Sequence, residues 1–116
     1  MTKIKFFLIC LIPLAIKAQK LSQKTENFLF KSDELMYSKV DSSRYYARRA
    51  LEVARAEKSE YGIASAYQRL GITFQVQGAY DSAEFYSKES LDKWREQSNE
   101  DEEARTLNNI GIVYDE

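Results

Sequence analysis

The sequence predicts an all-α fold, an α-solenoid of stacked antiparallel helix pairs. Three observations carry that expectation. The chain repeats itself at a spacing of forty residues, and a fixed period in this range marks stacked supersecondary units. Within each unit the apolar residues recur at helical spacing. Cys10 and Pro13 are the only cysteine and proline, so residues 19–116 have no disulfide and must rely on helix packing for a core.

A forty-residue shift places Asp41-Ser42 on Asp81-Ser82, Tyr46 on Tyr86, Leu51 on Leu91 and Arg55 on Arg95. It also places Glu60 on Glu100, Ala64 on Ala104 and Gly71-Ile72 on Gly111-Ile112. Nine of 36 aligned positions are identical without a gap, and Tyr45/Phe85, Leu70/Ile110 and Phe74/Tyr114 keep their type. The partial units run about 22–58, 60–98 and 100–116.

Residues 1–18 read as a leader, with Lys3 and Lys5, an apolar stretch from Phe6 to Ile16, and Ala18 before Gln19. That is the layout of a secretory signal peptide cut after Ala18, with an uncleaved anchor as the alternative. Cleavage would remove Lys3, Lys5 and Lys17 and move the formal charge from −1 to −4. The remaining domain, 19–116, would then be exported, either periplasmic or secreted.

A first helix is expected over about Ser22 to Tyr37, apolar at Phe28, Leu29, Leu35 and Met36. The next spans about Asp41 to Lys58 and recurs from Asp81 to Gln97. Asp41 and Asp81 are read as N-caps, Glu84 as the far end of a capping box, and Val40 and Tyr80 as staples meeting Tyr45 and Phe85. The other helix type runs from about Glu60 to Val76 and again from Glu100 to the end, started by Asn99 with Glu102. Gly78 closes the turn after Val76. The acidic run from Asn99 to Glu103 favours the positive end of that last helix rather than a metal site.

Composition excludes several function classes. The 17 basic and 18 acidic residues form no long run of either sign, so no footprint for nucleic acid is present. Histidine is absent, which removes the commonest general base and metal ligand. No phosphate loop, nucleophile elbow or metal-ligand spacing occurs. The sequence therefore predicts no enzyme, no cofactor and no metal.

Tyr67-x-x-Leu70-Gly71-x-x-Phe74, then Gly78-x-Tyr80-x-x-Ala83 and Ser90-Leu91, resembles the tetratricopeptide repeat. Leu107-x-x-Ile110-Gly111-x-x-Tyr114 resembles the start of another copy. The forty-residue period is longer than the family's usual spacing of about 34; Ser87 stands where an aromatic or alanine is common, and no proline ends a unit. The resemblance implies a right-handed solenoid. It also implies that Gly71 and Gly111 allow a close helix crossing, with the small residues Ala50 and Ser90 facing them.

It further implies that the first helix of each pair lines a groove for a protein or peptide. The groove candidates by position are Ser65, Gln68, Ile72, Gln75 and Val76, then Arg105, Asn108, Ile112, Asp115 and Glu116. Ile72, Val76 and Ile112 fit the filling of the solenoid equally well. Arg44, Arg48, Arg49 and Arg55 read as a solvated helix face. Exported bacterial repeats of this kind resemble two things: binding scaffolds, and sensory segments of membrane-bound regulators. In the second case a histidine kinase or DNA-binding output would lie beyond residue 116. The helix from Glu100 has no partner in sequence, which favours a longer chain, with self-association through the open end as the alternative.

Overall fold

The computed structural model describes residues 21–115, with side chains as far as Gly111. The expected leader and the candidates Ile112, Tyr114, Asp115 and Glu116 lie outside those side chains. The described elements are five helices: α1 (Gln23–Leu35), α2 (Val40–Ala56), α3 (Glu60–Val76), α4 (Tyr80–Glu96) and α5 (Glu100–Asp115). No strand occurs among the described residues. None of their helices is long and apolar enough to cross a membrane.

From α2 onward the helices begin every twenty residues, at 40, 60, 80 and 100. The forty-residue repeat is therefore two helix-plus-turn steps of equal length. Residues 57–59, 77–79 and 97–99 make three-residue connections, too short for anything but neighbouring helices folded back on each other.

One turn design serves all three connections. Lys58, Gly78 and Ser98 hold φ of 56°, 77° and 54°, the left-handed conformation that ends a helix. The following amide then reaches back five residues: Ser59 N–H to the Ala54 carbonyl (2.9 Å), Ala79 to Phe74 (2.9 Å) and Asn99 to Trp94 (3.0 Å). Sequence pointed only to Gly78, because lysine and serine carry no such signature.

The helix starts correct one expectation. Asp41 and Asp81 are not N-caps; Lys39 and Ala79 occupy the cap positions, without a side-chain cap bond. Both aspartates sit inside the first turn, where their charge still meets the helix dipole favourably. Val40 and Tyr80 are consequently helical residues rather than staples. Their expected partners Tyr45 and Phe85 are both 57% exposed, edge-on to Tyr46 and Tyr86. Side-chain caps occur instead at Ser22, which accepts from Thr25 N–H, at Ser59, which accepts from Gly62 N–H, and at Asn99, which accepts from Glu102 N–H at 3.2 Å.

Packing runs between sequence neighbours, and additionally between α1 and α3 and between α3 and α5. Among the described residues α2 and α4 make no such contact. The core holds Leu29, Ala47, Ala50, Leu51, Ala54, Ile63, Ala66 and Leu70. Its alanines let backbones approach closely, and burying a side chain such as Leu70 contributes about 2 kcal/mol. Further along, Trp94 is fully buried and meets the Tyr61 ring edge-on at 5.0 Å.

Gly71 does sit at a close crossing, but its neighbours are not the expected ones. A Cβ there would lie 2.6 Å from Ser87 Oγ and 3.4 Å from the Ala83 carbonyl oxygen. Ser90 lies elsewhere on α4, fully buried and donating to the Ala64 carbonyl at 2.9 Å. Gly111 has open space where its Cβ would be.

Candidate functional site

Because alternate helices touch, α1, α3 and α5 present side chains to one shared concavity of about 490 Å³. Leu21, just before α1, is part of the lining, α1 contributes Leu29 and Asp33, and neither α2 nor α4 lines it. From α3 come Tyr61, Ser65, Gln68, Arg69 and Ile72; from α5 come Glu102, Arg105, Asn108 and Asn109.

A polar chain crosses its floor. Arg69 grips Asp33 with two parallel bonds, Nε to Oδ1 at 3.1 Å and an Nη to Oδ2 at 3.2 Å. Another Arg69 nitrogen donates to Gln68 Oε1 at 3.0 Å. Gln68 Nε2 then lies 3.3 Å from both Glu102 Oε2 and Thr106 Oγ1, and Arg105 donates to Glu102 Oε1 at 3.0 Å. These side chains tie α1 to α3 to α5. The charges cancel in pairs, so the groove carries no surplus of either sign.

The expected groove residues divide into three groups. Ser65, Gln68, Ile72, Arg105 and Asn108 line the concavity. Ser65 and Gln68 belong to its floor, being only 4% and 6% exposed, while Arg105 and Asn108 are exposed. Gln75 and Val76 are not part of the lining; Val76, 40% exposed, stands in the last turn of α3, next to the turn closed by Gly78. Ile112 lies outside the described side chains. Tyr67, assigned to packing, stacks on Tyr86, which Phe74 covers in turn at 5.4 Å and 2° between rings.

Leu21, Leu29, Asp33, Tyr61, Arg69, Glu102 and Asn109 were missed as lining residues. The repeat could have indicated two of them, since Gln68-Arg69 falls on Asn108-Asn109 as a polar pair at matching positions. Nothing in the sequence marks Asp33, because α1 aligns poorly with the later units.

The arginine face is only partly solvated. Arg44 turns inward: its guanidinium lies 3.8 Å from the Phe74 ring centre, and it donates to Thr73 Oγ1 and the Thr73 carbonyl at 3.2 and 3.3 Å and to Gln77. Burial lowers its pKa, with Asp41 opposing that shift. In the acidic run, Glu103 accepts from Arg95 at 2.9 Å and Glu102 belongs to the floor network. Among the described residues no cluster of acidic groups is arranged to hold a metal ion. No protein-family model, curated protein or solved structure matches this chain.

Proposed function

We propose that the chain is a tetratricopeptide-like solenoid that binds an extended stretch of another protein in the α1/α3/α5 groove. The solenoid reading is supported by the twenty-residue helix pitch, the alternate-helix contacts and the glycine at the α3–α4 crossing. The observation that carries the function is the chemistry of the lining. Ser65, Asn108 and Asn109 offer both donors and acceptors, which suits the alternating N–H and C=O groups of an extended main chain. Leu29, Tyr61 and Ile72 beside them offer apolar contact for its side chains. The arginines are already paired with carboxylates, so strong net charge in the ligand gains little.

The test is selection of binders from a library of extended peptides displayed against the full chain. Ile72→Glu and Asn108→Ala should each weaken the selected binders by about tenfold or more, the loss of one good contact. Phe85→Ala, on α4 and away from the groove, should leave them unchanged. Binders that respond to Phe85→Ala and ignore both groove changes would defeat the reading, as would a selection that enriches none.

A further inference from the structure

A second surface lies on the side of α3 turned away from the groove. Both α2 and α4 pack on α3 without touching each other, and two α3 rings fill the seam between them. Phe74 carries the Arg44 guanidinium 3.8 Å from its centre and Tyr86 stacked alongside at 5.4 Å. Tyr67, seven residues earlier on the same side of α3, meets Arg55 at 5.7 Å and Tyr86 at 6.2 Å. None of these five residues lines the concavity.

Arg44, Arg48 and Arg55 form one stripe along α2, at spacings of four and seven residues that share a helix side. Stacking engages the flat faces of two of these guanidiniums and orients them, while donors on the edges can still meet a carboxylate. Arg44 uses its donors on Thr73 and Gln77, with Asp41 3.6 Å away. Arg55, exposed, uses one on the Tyr67 hydroxyl at 2.6 Å. Arg48, exposed between them, has no ion pair or hydrogen bond among the described residues. Arg49 turns toward α1 instead, paired with Glu52 at 2.8 Å and lying over Phe28.

We infer that this stripe docks an acidic, carboxylate-rich segment of another protein, held chiefly by Arg48 and Arg55. The distribution of charge selects that partner. Helix α2 carries four arginines against Asp41 and Glu52. Its neighbour α4 carries five acids and three bases, and α5 opens with four acids. A broad anionic plane such as a lipid surface would meet repulsion from α4 and α5 as it approached α2. A narrow run of carboxylates laid along α2 meets only the positive strip. Arg48 and Arg55 are seven residues apart, about 10 Å along the helix, which is the span of about three extended residues. Each guanidinium with free edges can give a carboxylate two parallel N–H bonds. The stripe and the groove lie on different sides of α3, so either can bind without the other.

The test uses a labelled octaglutamate peptide as the probe and the full chain as receptor, read by fluorescence anisotropy. Salt is held at about 0.15 M, where exposed charges more than about 8 Å apart are largely screened. Saturable binding with a Kd of about 1 mM or tighter is expected. Arg48→Gln should weaken it about threefold or more, and Arg48→Gln with Arg55→Gln about tenfold or more. Arg48 holds no other side chain in place, so circular dichroism should show unchanged helicity, and lost binding would not reflect misfolding. Arg49→Gln removes the same charge from the other side of α2, and Asn108→Ala alters the groove; each should leave binding within about twofold. Absence of saturable binding, or equal losses from Arg48→Gln and Arg49→Gln, would overturn the inference. Binding of phosphatidylglycerol vesicles by a chain that ignores the peptide would also overturn it, in favour of a membrane surface.

Discussion

A Cβ on Gly71 would stand 2.6 Å from the hydroxyl oxygen of Ser87 and 3.3 Å from its backbone nitrogen. The hydroxyl can rotate away, but the α4 backbone cannot. Gly71→Ala therefore loses more through overpacking than it gains in helix propensity, and should destabilise by about 1 kcal/mol. Gly71→Leu should cost about 3 kcal/mol or more. Urea midpoints measure both, and Ser87→Ala should recover part of the Gly71→Ala loss. A Gly71→Leu chain with the wild-type midpoint would show that α3 and α4 do not cross here.

Gly111 holds the matching repeat position with its Cβ space open. Gly111→Ala should raise helicity and stability by about 0.5–1 kcal/mol, since only the helix penalty of glycine is removed. Opposite signs at two repeat-equivalent glycines, measured by circular dichroism and urea titration, would be a direct readout of which crossing is occupied.

The three turns make a third prediction. Gly78 holds φ 77°, so Gly78→Ala should cost about 1 kcal/mol. Lys58 and Ser98 hold the same backbone region without being glycine, so Lys58→Gly and Ser98→Gly should each stabilise by about 0.5–1 kcal/mol. Thermal unfolding of the three variants gives the signs; a loss of stability in both glycine variants would contradict the shared turn geometry.

These cases show what the sequence made legible. Helix existence and spacing were readable because the forty-residue repeat doubled each apolar pattern, and α3 begins and ends where the pattern placed it. Helix starts at 40 and 80 were misread because an aspartate in the first turn resembles an aspartate cap. The partner of Gly71 was misassigned by a few residues because sequence gives helix faces but not the register between them. Five of the twelve groove-lining residues were legible, Ser65, Gln68, Ile72, Arg105 and Asn108, through repeat position. The Asp33–Arg69 pair joins residues 36 apart, and no local pattern encodes such a meeting.

That pair supports a fourth prediction. Asp33 and Arg69 retain side-chain exposures of 50% and 25%, so their coupling should be modest. A double-mutant cycle with Asp33→Asn and Arg69→Met should give about 0.5–1 kcal/mol, shrinking at about 1 M salt, where the Debye length is about 3 Å. A coupling near zero at low salt would mean that the pair does not help hold α1 against α3.

Arg44 should not tolerate lysine. Lysine would lose the flat guanidinium over Phe74 and the forked bonds to Thr73, so Arg44→Lys should cost about 1–2 kcal/mol. A wild-type urea midpoint in that variant would show that a positive charge alone suffices.

Peptide recognition by the α1/α3/α5 groove is tested most directly by mapping where a selected peptide sits, through backbone amide shifts of the labelled full chain. The largest changes are expected at Leu29, Asp33, Ser65, Ile72, Asn108 and Asn109, on three helices that are far apart in sequence and share one concavity. Changes confined to α2 and α4, with those six residues unmoved, would contradict it.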